Sequence, residues 1–184
     1  MPNSEFEILS IVDTRDCVIG QDRRSEIHRR GLRHRAVHVL IYNRAGQVFL
    51  QQRADTKDRN PGLWDSAAAG HVDAHETYVN CAVREVMEEL GIDTGDRLQK
   101  LFKLPPKPET GMEFCMVYRL GHEGPFRLDP DEIQRGKWFT PLELDRWLEQ
   151  GGSGLTQTFQ SIWLQVRKLN RALKKTGAVG TAPE

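Results

Sequence analysis

Residues 70–92 read GHVDAHETYVNCAVREVMEELGI. A glycine-led loop runs into a helix-forming segment, and Gly91 supplies a C-terminal stop signal. The helix is expected to begin near Glu76 and Thr77. At about 100° per residue, Val79, Val83, Val86 and Leu90 fall on one stripe, which is expected to face the core. Glu85, Glu88 and Glu89 are spaced i, i+3, i+4 and share a second face. Like charges at that spacing repel by roughly 0.2–0.5 kcal/mol per pair. Two of them also lie in the last turn, where the helix dipole favours cations. A divalent cation would offset both penalties, because hard ions such as Mg²⁺ take oxygen ligands. Taken alone, the same three glutamates read as a solvated acidic face.

The surrounding residues shift that balance. Gly70 stands six positions before Glu76, and Arg84 immediately precedes Glu85. The string G-x5-E-x7-R-E-U-x-E-E-x-G-U, with U aliphatic, is met by Gly70, Glu76, Arg84, Glu85, Val86, Glu88, Glu89, Gly91 and Ile92. This segment resembles the Nudix box. The resemblance implies an α/β protein, a Nudix-type α/β/α sandwich with a mixed central sheet. It implies an enzyme that hydrolyses a nucleoside diphosphate linked to another moiety, with Mg²⁺ or Mn²⁺ as cofactor. By the same resemblance Glu85, Glu88 and Glu89 bind metal and serve catalysis. Glu76 is mainly structural and pairs with Arg84, which orients the glutamates, and the carbonyl of Gly70 or a neighbour completes the coordination shell. The chemistry agrees: cleaving a diphosphate needs neutralised phosphate oxygens, an activated water and a base within hydrogen-bond reach. Which glutamate takes the proton, and how many ions bind, stay open.

The resemblance extends outside the box. Residues 35–43 (RAVHVLIYN) are rich in β-branched side chains and read as a strand. Residues 44–46 form a turn, residues 47–53 a returning strand, and residues 61–65 (PGLWD) a loop before a short strand into Gly70. The pattern strand-RxGxxxLxQR-PGxW is similar to the type 1 isopentenyl-diphosphate isomerases, which share the fold. Those isomerases place a cysteine two residues before a metal-binding histidine. Here the histidine is His71 but Ala69 holds the cysteine position, and the box is intact where theirs is degenerate. Both departures favour a hydrolase, because an alanine transfers no proton. Glu113 lies near the isomerases' catalytic glutamate and is a candidate substrate-binding residue; its bland alternative is a solvent-facing strand position. Arg53, at the end of the second core strand, is the other candidate for substrate. His34 lies near a histidine the isomerases use, although His28, His34 and His38 show no metal spacing. His75 replaces a common glycine and would be strained if it needs a positive φ.

Length, charge and cysteine content set bounds. At 184 residues the chain fits one domain with a sizeable core. Lys plus Arg and Asp plus Glu are both 26, which supports neither a nucleic-acid partner nor a membrane surface. Cys17, Cys81 and Cys115 show no metal spacing or disulfide framework, and Cys81 reads as a small packed residue. No apolar run approaches the ~20 residues that span a bilayer. The N-terminus lacks a basic region followed by an apolar stretch, so a cytoplasmic location is the default expectation.

Residues 1–33 are expected to form a hairpin (strands at 6–13 and 17–21) and a short helix capped by Ser25, packed on the core or on a second subunit. A homodimer is therefore an open possibility. Arg23, Arg24, Arg29, Arg30, Arg33 and Arg35 either gather round a phosphate-bearing substrate or form a solvated surface. Residues 34–175 would be the Nudix hydrolase domain. In it, residues 98–104 and 112–120 read as strands flanking a rigid loop at Pro105, Pro106 and Pro108. Glu132 braces a loop or reaches the metals, and residues 137–139 form a further strand. Thr140 and Pro141 open a helix at N-cap and N1. A last helix spans residues 158–174, with Phe159, Ile162, Trp163, Val166 and Leu169 towards the core. Residues 176–184 read as a disordered tail. The partner expected is a small phosphorylated substrate, whose identity is open. Trp64 and the proline loop are candidates to stack on a base, or simply to pack. Two alternatives remain beside the hydrolase: an isopentenyl-diphosphate isomerase-like enzyme and a non-catalytic metabolite-sensing module.

Overall fold

The computed structural model describes residues 7–175. The expected tail at 176–184 and the first residue of the expected N-terminal strand, Phe6, lie outside them. The elements run β1 (Ile8–Val12), β2 (Val18–Arg23), α1 (Arg24–Arg30), β3 (His34–Tyr42), β4 (Val48–Arg53), β5 (Trp64–Ser66), β6 (Ala68–His71) and α2 (Tyr78–Leu90). They continue with β7 (Gln99–Leu104), β8 (Glu113–Gly121), β9 (Ile133–Phe139), α3 (Pro141–Glu149) and α4 (Gln157–Lys175). None of the described helices is long and apolar enough to cross a membrane.

β3 is the axis of a mixed seven-stranded sheet. It pairs in parallel with β8 along its whole length, from His34 opposite Glu113 to Tyr42 opposite Gly121. On its other edge it meets two strands in succession: β6 over Ala36–Val39, and β4 only at Ile41 and Tyr42. β4 therefore splays away from the lower half of β3 and carries β5 and β9 with it. Strand alternation sends Val37, Val39 and Ile41 to one face, under α2. Leu40 goes to the other, where it meets Phe139, Leu144, Phe159, Ile162 and Trp163 from β9, α3 and α4. The result is an α/β/α sandwich with a mixed central sheet.

The ends of the elements follow their local chemistry. Thr140 and Glu143 form a capping box at α3, with Pro141 in the first turn. We expect Thr140→Ala to cost about 1 kcal/mol and to lower the thermal midpoint by roughly 2–4 °C without changing activity; a melting curve checks it. Ser25 is not the cap of α1. The helix starts two residues before the expected Glu26, at Arg24, and Arg23 as N-cap makes no side-chain cap bond; the Arg24 N–H donates instead to the carbonyl of Glu7, just before β1. Leu169, expected in the core, is 39% exposed. Trp64 is a packing residue, set edge-on to Phe139 with ring centroids 5.3 Å apart.

The N-terminal hairpin packs on the sandwich. Leu9 and Val12 are buried, the Val12 N–H donates to the Arg33 carbonyl, and the Ala74 N–H donates to the Ile8 carbonyl. Of the arginines in this region, Arg29, Arg30 and Arg35 are paired with Glu26, Asp22 and Asp16.

Candidate active site

α2 starts after Thr77, whose Oγ1 accepts from the Asn80 N–H, and stops at Gly91, which sits at φ 67°. Its buried face keeps only half of the stripe read from the sequence, Val86 and Leu90. Val79 and Val83 are 46% and 37% exposed. The buried residues are Cys81, Ala82, Glu85, Val86, Glu89 and Leu90. At about 100° per residue they form one arc, and Glu89 falls near its middle. Two carboxylates thus occupy the sector of the helix that an apolar core would claim, while Glu88 turns outward.

Gly70 on β6 makes this possible. A Cβ there would overlap the carboxyl group of Glu85, so strand backbone and side chain approach at a distance only glycine allows. Glu89 Oε2 accepts from Gln51 Nε2 of β4 at 2.8 Å and from the Ala69 N–H at 3.3 Å. Arg84 organises the rest. It donates to both oxygens of Glu76 at 3.0 and 2.9 Å, to Glu85 at 2.7 Å, to Glu88 at 3.3 Å and to the His71 carbonyl at 3.1 Å. Cys81 is buried beside it and donates its thiol to the same carbonyl. Burial pushes Glu85 up to about 7, against the pull of Arg84. Burial, then the nearby charge of Glu85, raises Glu89 well above the ordinary carboxylate range. Crowded, dehydrated carboxylates, whose mutual repulsion the nearby Arg53 charge only partly offsets at Glu89, match the donor set a hard divalent ion takes.

Gly70, Arg84, Glu85, Glu88, Glu89, Arg53 and Glu113 all line one cavity of about 1070 Å³. Glu76 and Gly91 stand behind it, the first held by Arg84 and the second ending α2. His75 borders the cavity and has φ 70°, the left-handed region. Arg53 comes in from the end of β4, its Nε donating to the Arg59 carbonyl. Glu132 braces the rim: it pairs with Lys57, and its carbonyl accepts from the Ala54 N–H.

A second cluster was read from the sequence only in part: the isomerase resemblance pointed to His34, His71 and Glu113, but not to His28 or to the meeting of the three histidines. His28 on α1, His34 on β3 and His71 on β6 bring a ring nitrogen each within 4.8 Å of one another. Register explains the meeting: His34 lies opposite Glu113, and Ala36, two residues on, opposite His71. His34 Nδ1 lies 2.9 Å from the Leu32 carbonyl, which fixes the proton there and leaves Nε2 as an acceptor. The Nε2 atoms of His28 and His34 are buried without a hydrogen-bond partner. Glu113 Oε1 stands 3.7 Å from His34 and 3.4 Å from His71. Burial would lower His71, but hydrogen bonds to Glu113 and Glu7 outweigh it and set its pKa at about 9. Imidazoles with a carboxylate suit a borderline ion such as Zn²⁺, which would displace the His71 proton. The signal was faint because the three residues come from three elements at unrelated spacings.

The NUDIX domain family model matches residues 32–160. The chain belongs to the Nudix family. A Nudix hydrolase of Nostoc sp. is 36% identical over 151 residues, covering 80% of this chain and 88% of the relative. YfcD of Escherichia coli K12, also named a Nudix hydrolase, is 35% identical over 141 residues, 75% of this chain and 76% of its own. Among solved structures, DR0079 of Deinococcus radiodurans superposes with a TM-score of 0.77 at 28% identity, covering 86% of this chain and 98% of that one. The NUDIX domain of Shewanella oneidensis NrtR, solved with ADP ribose, has a TM-score of 0.56 at 16% identity over 72% of this chain and 85% of that one, and shares the fold. This Nudix protein is a hydrolase acting on pyrophosphate bonds.

Proposed function

We propose that the protein is a Mg²⁺- or Mn²⁺-dependent hydrolase of a diphosphate linkage in a nucleoside diphosphate derivative or similar phosphorylated metabolite. The observation that carries this reading is the buried pair Glu85 and Glu89, with Glu88, against Gly70 on one wall of a cavity that Arg53 also enters. Glu85, Glu88, Glu89 and the Gly70 carbonyl would hold the cation. Bound there, it neutralises phosphate oxygens and lowers the pKa of the attacking water. The remaining steps belong to the protein. Arg84 restrains Glu85 and Glu88 against their mutual repulsion. Gln51 occupies Oε2 of Glu89, which leaves Oε1 free to face ion or proton. Arg53 offers a planar, permanently charged fork to a phosphate, and Glu113 faces substrate beside His71.

The isomerase reading shares His34, His71 and Glu113 but puts Ala69 where the isomerases carry a proton-transferring cysteine. Phosphorus and proton NMR separate the two: hydrolysis releases a phosphate product, whereas rearrangement of isopentenyl diphosphate releases none. A metabolite-sensing module would bind such compounds and cleave none of them. Absence of Mg²⁺ and Mn²⁺ uptake by folded protein in calorimetry, with and without phosphorylated ligands, defeats the hydrolase reading.

The carboxylates also predict a pH dependence. Protons compete with the ion for Glu85 and Glu89, and both hold protons above 4.5. Mg²⁺ affinity is therefore expected to rise from pH 6 to pH 8, with protons released on binding. Calorimetry in buffers of different ionisation enthalpy measures that release directly.

A further inference from the structure

The cavity walls carry information about the part of the substrate that is not phosphate. More than half of the lining residues are Asp, Glu, Lys or Arg. No Phe, Tyr or Trp side chain lines the cavity among the described residues, and its apolar contribution is Ile8 and three alanines. Small-molecule pockets are more often walled by apolar and aromatic groups, and a nucleobase is commonly held by stacking on such a ring.

In their place is a polar floor. His38 is 5% exposed, Asp65 4% and Thr110 7%. His38 Nδ1 lies 2.6 Å from Ser66 Oγ and 3.5 Å from Asp65, which fixes its ring. Gln157 and Thr158, from the first turn of α4, add an amide and a hydroxyl. The strand register puts this floor next to the carboxylates. His38 is opposite Ala69, whose N–H reaches Glu89, and Asp65 is opposite Gln51, whose amide reaches the same oxygen.

We propose that the substrate is the diphosphate of a compact, polyhydroxylated group, a sugar or polyol, rather than a nucleotide or an isoprenoid. This rests on the hydrolase reading above and narrows it. A prenyl chain or a flat base laid here would find no Phe, Tyr or Trp ring to pack on, and would strip water from Gln157, Thr158 and the charged walls without replacing its hydrogen bonds. Hydroxyl groups accept from the Gln157 amide and the guanidinium groups and donate to the wall carboxylates, so they replace that water in both directions.

The test uses the full chain with Mg²⁺ and three probes: 5-phosphoribosyl 1-diphosphate, ADP and isopentenyl diphosphate. We expect kcat/KM for the sugar diphosphate to exceed the other two by about tenfold or more. Thr110→Val and Gln157→Leu should lower kcat/KM for it several-fold more than for methyl diphosphate, which has no hydroxyl to lose. That ratio is insensitive to a partly misfolded preparation. Preference for ADP or isopentenyl diphosphate, or equal losses on both substrates in the variants, overturns the sugar assignment while leaving the hydrolase intact. If none of the compounds is cleaved, the hydrolase reading falls and this one with it.

Discussion

Glu89→Gln is expected to lower turnover by about 10²–10⁴-fold while the metal-free protein becomes less sensitive to pH. The substitution keeps the shape of the side chain and an oxygen that can accept from Gln51 and Ala69. What it removes is the charge. Burial and the neighbouring Glu85 raise the folded-state pKa of Glu89 well above its unfolded value. A carboxyl raised in this way binds its proton more tightly in the folded chain. Its contribution to stability is present below the unfolded pKa and is lost as pH rises through the folded one. Wild-type protein without metal should therefore melt lower at pH 8 than at pH 6, and the variant should show a shallower difference. Turnover assays and melting curves at the two pH values together decide it. Wild-type turnover in Glu89→Gln removes the residue from catalysis, and an unchanged pH slope removes the buried charge from the energetics.

Gly70→Ala should cost about 10²-fold in kcat/KM, the scale of a 1 Å misplacement of reacting groups, with only a small loss of stability. The new methyl would overlap the Glu85 carboxyl. That group is the far end of a flexible side chain, so it swings aside and the sheet remains. The displaced carboxylate leaves the Gly70 carbonyl and loses its 2.7 Å contact with Arg84. Mg²⁺ titration by calorimetry should show weakened uptake in a protein whose circular dichroism is unchanged. A variant that binds Mg²⁺ as tightly as wild type would show that Glu85 and Gly70 do not act together.

Much of the fold was legible because its strands carry β-branched runs and its turns carry glycine and proline at demanding positions. The box placed Arg84 beside Glu76 and the glutamates beside Gly70, and both pairings are present in the structure. Periodicity misjudged α2, since a hydrophobic template assigns Val79 and Val83 to the core. It has no means of knowing that the sheet opposite presents a glycine and an amide rather than apolar side chains. The assembly of the histidine cluster, and the part of His28 in it, was hidden for a related reason, although the resemblance pointed to His34 and His71 singly. His28, His34 and His71 meet through the β3–β8 and β3–β6 registers and the seating of α1, and none of these is a short-range property. The polar floor is the same case, with His38, Asp65, Thr110 and Gln157 drawn from four separate segments.

The seating of the hairpin and α1 has a practical corollary. The family match begins at residue 32, yet Glu7, Gln21 and Arg24 all border the cavity, and Arg24 reaches Asp58 and His71 from outside that boundary. A recombinant fragment trimmed to the family-matched residues would keep the glutamates but leave one side of the chamber open to bulk water, with His28 gone. Cloning decisions for this chain therefore decide in advance which chemistry can be observed.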